Sequence, residues 1–143
     1  MLYLAADHAG FELKEQIAHH LASRNIAFED FGTFSTEMDD FPPLARQVAL
    51  AVKKKNGRGI LICGTGQGMA IQANRYTGVR AAVVWSDEVS RRAREEEDAN
   101  IICLPARIIS IEQAWSAVST FLATTFSHQD RYVRRIKQLD DNK

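Results

Sequence analysis

Short apolar runs alternate with amphipathic stretches along the whole 143-residue chain, and each switch is marked by Gly, Asp, Asn or Ser. This constrains the fold more than any other feature. It is the pattern of βαβ units, in which the strands of one parallel sheet are joined by crossover helices. The runs predict five strands, at Leu2 to Ala6, Ile26 to Phe31, Gly59 to Cys63, Arg80 to Val84 and Asn100 to Leu104. Ile60-Leu61-Ile62 and Ala81-Ala82-Val83-Val84 are apolar at consecutive positions, so these two read as middle strands covered on both faces by helix layers.

Helical spacing fills the intervals. Phe11, Leu13, Ile17 and Leu21 mark a first helix, Leu44, Val48, Ala51 and Val52 a second, and Met69, Ile71 and Ala73 a third. Glu88 to Glu96 predicts a highly charged fourth, and Ile111 to Phe126 and Arg131 to Leu139 predict two C-terminal helices. The longest irregular stretch runs from Thr33 to Asp40, and a helix is expected to start near Pro42 or Pro43, where proline tolerates the first turn. That loop is expected at the C-terminal edge of the sheet, where open α/β folds bind ligands.

Residues 1–143 fit one globular domain, which at this length buries roughly 70% of its unfolded surface without a disulfide or structural metal. The 18 Lys+Arg balance the 18 Asp+Glu, which argues against nucleic-acid and membrane-surface partners, both of which usually need a basic field. The apolar start from Leu2 to Ala6 is too short for a signal peptide or a membrane span. Cys63 and Cys103 each end an apolar run and read as reduced thiols of a cytoplasmic protein.

The strongest chemical signal is Cys63-Gly64-Thr65-Gly66-Gln67-Gly68, a buried strand turning through three glycines into a helix. Glycines let backbone amides approach an anion, and unpaired helix-start N–H groups favour one. The run is neither a dinucleotide fingerprint, since Met69 stands where a third glycine is needed, nor a P-loop, since no Gly-Lys-Ser/Thr follows. Such a turn is expected to expose Cys63, where a thiolate could act as base or nucleophile; the alternative is a small core residue. Cys103 is expected in the core.

Asp7 and His8 end the first strand and read either as groups that hold sugar hydroxyls or phosphate, or as the N-cap of the next helix. His19 and His20 lie beside Lys14 and Arg24 in that helix and read as a solvated face. Arg131 and Arg135, four apart, share one helix face and suit a phosphomonoester; a solvated charge run is the alternative.

Together, Asp7-His8-Ala9-Gly10-Phe11 with Leu13-Lys14, Phe31-Gly32-Thr33, Asp40-Phe41-Pro42, the Cys63–Gly68 turn, Ala73-Asn74, Gly78-Val79-Arg80-Ala81 and Asp98-Ala99-Asn100 resemble the ribose-5-phosphate isomerase B / galactose-6-phosphate isomerase family. The likeness spans nearly the whole chain. It implies a Rossmann-like α/β/α domain and a metal-free aldose–ketose isomerase that needs no cofactor. The family's enzymes are dimers or tetramers whose sites cross a subunit interface. By carry-over, Cys63 takes the C2 proton, and the amides of Gly64, Gly66, Gln67 and Gly68 with the Thr65 hydroxyl stabilise the enediolate. Asp7 holds sugar hydroxyls, and His8, Arg107, Arg131 and Arg135 bind phosphate.

The departures fall at Glu96, where isomerase B enzymes carry a ring-opening His, and at the adjacent Glu97, where they carry Asn. A carboxyl can shuttle the same proton, but with a usual pKa of about 4.3 it is a poorer acid at pH 7. The Cys-bearing subunit of galactose-6-phosphate isomerase also has Glu-Glu there. Phe41 stands where Tyr is usual, and Pro105-Ala106-Arg107 where Gly often precedes the Arg. The expectation is therefore a ribose 5-phosphate isomerase. The alternatives are a hexose-6-phosphate isomerase, one subunit of a heteromeric enzyme, or a non-catalytic sugar-phosphate-binding protein.

Overall fold

The computed structural model describes residues 1–141; the last two positions of the chain lie outside the described residues. Five parallel strands form one sheet in the order β2-β1-β3-β5-β4. They are β1 (Leu2–Ala6), β2 (Phe28–Asp30), β3 (Arg58–Cys63), β4 (Ala81–Val83) and β5 (Ile101–Pro105), and they alternate with helices α1 (Phe11–Ser23), α2 (Phe41–Lys55), α3 (Gln67–Ala73), α4 (Asp87–Glu95) and α5 (Ile111–Ala123) before α6 (Asp130–Asp140). Among the described residues no helix is long and apolar enough to cross a membrane.

The pleat divides the core in two. Leu2, Leu4, Ile60, Ile62, Ile102 and Leu104 face α1, α4 and α5, which contribute Ile17, Leu21, Ala93, Val118 and Phe121. Tyr3, Ala5, Leu61, Cys63, Ile101 and Cys103 face α2 and α3 with Val48, Val52, Met69 and Ala73. The three central strands are buried at every position except Arg58, so their side chains must be apolar on both faces.

The expected α/β/α sandwich is therefore present, and four details differ. β4 is an edge strand with half-buried residues, not a middle one: β5 pairs between it and β3, an arrangement its apolar run cannot report. β2 keeps only Phe28–Asp30 of the expected run. Ile71 is 62% exposed on α3, so only Met69, Ala70 and Ala73 pack that helix. α5 ends at Ala123 rather than Phe126 because Thr124 turns extended while its hydroxyl donates to the Thr120 carbonyl.

Of the face expected to be solvated, His19 and Arg24 are exposed and His20 is half-buried, but Lys14 is not solvated. The Lys14 side chain is fully buried, with its ammonium paired to Asp30 and to Glu15, the latter at 2.8 Å. His20 stacks on Trp115 with ring centroids 4.9 Å apart, and Arg24 lies over the same indole.

Candidate active site

β1 and β3 are neighbours whose crossover helices leave to opposite faces of the sheet: α1 joins one core cluster and α2 and α3 the other. The crevice outside their carboxyl ends is a topological switch point, where doubly wound folds bind ligands. Asp7 follows β1 and Cys63 ends β3, and the Asp7 amide donates to the Ile62 carbonyl at 3.1 Å, which fixes the two strand ends together. Asp7 is buried. It is not the N-cap, since Gly10 holds that position; its Oδ1 accepts the Gly10 amide at 3.1 Å and closes the turn into α1.

Cys63 is not exposed as expected; it is 5% accessible, because its side chain turns toward the α2–α3 layer. Its Sγ accepts the Gly66 amide at 3.1 Å. Gly66 has φ +77°, a left-handed conformation that L side chains resist, and it is what folds the turn back over the sulfur. Thr65 and Gln67 point outward, with the Thr65 hydroxyl 3.4 Å from the Gln67 amide, and Gly68 is half-buried. Cys103 lies in the core as expected, where burial and the neighbouring Cys63 push its thiol well above the ordinary thiol range.

The loops at this edge close on the turn. Arg107 donates its amide to the Gly64 carbonyl at 3.0 Å, and a Cβ added at Gly64 would stand 2.9 Å from the Arg107 guanidinium. A Cβ at Gly68 would meet the Phe41 ring at 2.8 Å, so the aromatic at the start of α2 packs directly on the glycine. His8 is held by Asp39 of the β2–α2 loop, with 3.0 Å between Nδ1 and Oδ1. Asp39 was not among the residues expected from sequence.

The structure thus gathers Asp7, His8, Cys63, Gly64, Thr65, Gly66, Gln67, Gly68 and Arg107 at one edge. It does not bring Glu96, Glu97, Arg131 and Arg135 there. α4 leaves the carboxyl end of β4 and returns to the start of β5, so Glu96 and Glu97 lie at the opposite, amino edge. A strand of five or six residues separates the edges by roughly 16–20 Å. α6 lies at that far edge too, since Ser127 just before it bonds the Glu95 carbonyl and Asp140 at its end accepts the Gly78 amide. Arg131 and Arg135 each lie against the buried ring of Tyr132, 4.7 and 5.9 Å from its centroid. Glu96 is ion-paired to Arg92 at 2.8 Å, while Glu97 is exposed beside Arg80 and Leu139.

The switch point and the polar groups around it place a small-molecule site at the carboxyl edge of a Rossmann-like fold. A family model described as Ribose/Galactose Isomerase matches residues 2–139. The chain belongs to that family, one of aldose–ketose isomerases. It is 43% identical to the ribose-5-P isomerase B of Listeria innocua over 125 residues, 87% of this chain and 84% of that one. The crystal structure of a ribose 5-phosphate isomerase from Thermotoga maritima is 44% identical and superposes with a TM-score of 0.95 over 98% of this chain and 97% of the other. The ribose-5-phosphate isomerase B of Mycoplasma genitalium, solved with bound ribulose-5-phosphate, is 36% identical with a TM-score of 0.93, covering 99% of this chain and 94% of that one.

Proposed function

We propose that this chain interconverts ribose 5-phosphate and ribulose 5-phosphate through a cis-enediolate, in a site completed by a second copy of the chain. The relatives' activity and the ribulose-5-phosphate held by the Mycoplasma enzyme support the substrate. The separation of Arg131 and Arg135 from Cys63 within one chain is the observation that carries the composite site. Exposed apolar side chains surround the Cys63 edge, namely Phe34 and Met38 after β2, Trp85 after β4 and Ile108 after β5, and α6 exposes Val133 and Leu139. These are surfaces that a second copy would bury.

In the reaction, Cys63 as thiolate removes the C2 proton of the open-chain aldose. The electron pair forms the C1–C2 double bond, and charge collects on the former carbonyl oxygen. The amides of Gly64 to Gly68 and the Thr65 hydroxyl stabilise that oxyanion; one such donor is worth roughly 3–4 kcal/mol of barrier. The proton then returns to C1 while the C2 hydroxyl passes its own proton to the C1 oxygen, which becomes a hydroxyl as C2 becomes the ketose carbonyl. α3 has only seven residues, so the turn's amides do this rather than a long helix dipole. Asp7 holds sugar hydroxyls. His8 and Arg107 of one copy, with Arg131 and Arg135 of the other, bind phosphate. Glu96 of the second copy opens the furanose ring, and Glu97 beside it contacts sugar. Reduced Cys63 and Cys103 suit a cytoplasmic setting.

The Glu96–Glu97 pair keeps the hexose and heteromeric readings in view. The purified chain alone is assayed for ketose formation from ribose 5-phosphate, allose 6-phosphate and galactose 6-phosphate. The expected result is the highest kcat/KM on ribose 5-phosphate. Faster turnover of a hexose phosphate overturns the pentose assignment, and saturable binding of all three without turnover makes the chain a binding protein.

A further inference from the structure

We propose that Asp39 is a positioning residue for the substrate phosphate: it grips the His8 ring at Nδ1 and thereby presents Nε2 to a phosphate oxygen. The inference rests on the sugar-phosphate reading and assigns a role to a residue outside the Asp40-Phe41-Pro42 stretch that carries the resemblance.

One oxygen makes two contacts. Asp39 Oδ1 accepts the His8 backbone amide at 2.8 Å and stands 3.0 Å from His8 Nδ1. Because the same oxygen holds the main chain and the ring of residue 8, the imidazole cannot swing about its Cα–Cβ and Cβ–Cγ bonds without breaking a contact. Both side chains are about one quarter exposed, His8 25% and Asp39 26%, so the pair lies at the rim of the switch point and not within the core. Partial burial works against the Asp39 charge, but hydrogen bonds from His8 and Thr33 outweigh it and hold the carboxyl below its ordinary range. The carboxylate is therefore an acceptor only, so the hydrogen between it and the ring belongs to Nδ1. The Asp39 amide also approaches the same nitrogen at 3.3 Å, a longer contact than the 3.0 Å to the carboxylate oxygen.

Nε2 is then the ring nitrogen left for a ligand. It meets a phosphate oxygen as donor when the ring carries two protons, or as acceptor from a protonated phosphate oxygen. The two residues are 31 apart in sequence, so the grip also ties the β2–α2 loop to the end of β1.

Asp39→Ala, Asp39→Asn, His8→Ala and the double variant Asp39→Ala/His8→Ala are compared with wild type. KM and kcat are measured on ribose 5-phosphate, and the Kd of inorganic phosphate by calorimetry. Asp39→Ala is expected to raise KM and the phosphate Kd in parallel, about 10-fold, with kcat within about 3-fold. Asp39→Asn keeps the oxygen that accepts both contacts and is expected to restore most of the loss. In the His8→Ala background Asp39→Ala is expected to add nothing further to the phosphate Kd, because its effect on phosphate runs through the ring even though the main-chain contact remains. An unchanged phosphate Kd in Asp39→Ala, a fall in kcat at constant KM, or additive losses in the double variant overturns the role. The calorimetric arm keeps the two ideas separable: a wild type that turns over no pentose phosphate removes the proposed reaction, while the phosphate Kd values still decide the role of Asp39. Melting temperatures of all variants identify a loss due to unfolding.

Discussion

The Cys63 sulfur accepts a hydrogen bond from the Gly66 amide at 3.1 Å, so the residue that ends β3 is engaged by the turn that follows it. The left-handed Gly66 makes this contact possible, and the same turn aligns Gly64 under Arg107 and Gly68 under Phe41. Thiol, amides, guanidinium and aromatic thus form one packed unit at the β1–β3 switch point.

The proposed sharing of the site between two copies is tested by mixing variants. Cys63→Ala and Arg131→Ala/Arg135→Ala chains are each expected to be nearly inactive. Refolded together, they are expected to regain up to about one quarter of wild-type activity, since half of a statistical mixture is the mixed dimer and one of its two sites carries every wild-type group. No recovery at any mixing ratio contradicts a site shared between copies.

Lys14 is buried against Asp30, whose other oxygen accepts the Gly32 amide at 2.8 Å. Lys14→Met leaves that carboxylate without its cation, and removing one partner of a buried pair costs roughly 3–5 kcal/mol. Denaturant unfolding is expected to show a loss of that order, with part of it recovered in Lys14→Met/Asp30→Asn.

The Tyr3 hydroxyl is buried and makes no hydrogen bond among the described residues. Tyr3→Phe removes an unsatisfied polar atom without disturbing the ring, which stacks on Phe31 at 5.8 Å. The variant is expected to be neutral or up to about 1 kcal/mol more stable in urea titration.

Asp39 sets an acid dependence. Its carboxyl is partly desolvated, yet hydrogen bonds from His8 and Thr33 hold it below the ordinary 3.8, so the folded state favours the ionised form. A depressed carboxyl contributes stability that is fully present above the unfolded value and lost as pH falls through the folded one. The stability gap between wild type and Asp39→Asn is therefore expected to be constant above about pH 5 and to close below about pH 4. Unfolding midpoints across that range check it.

The sheet and the glycine turn were legible because their signals are local: apolar runs of strand length, and glycines directly after one of them. Residues whose environment is set from far along the chain were not. Lys14 looks solvated on its helix until Asp30, sixteen residues on, is folded beside it. The edge position of β4 depends on the order of pairing, which composition does not carry. Asp39 reaches His8 only because two loops meet above adjacent strands. Cys63 was placed at the correct strand end, but its burial follows from which face of the pleat it occupies. The residues carried over from the family likeness came without their arrangement, and the fold divides them between two edges.

The role of Cys63 is tested most directly by turnover of ribose 5-phosphate in D2O, followed by NMR with wild type and Cys63→Ala. Wild type is expected to place solvent deuterium at C1 of the ribulose 5-phosphate formed. The variant is expected to lose about 10²- to 10⁴-fold in rate while still binding substrate, the contribution of a positioned base. Deuterium incorporation by Cys63→Ala at the wild-type rate contradicts the account.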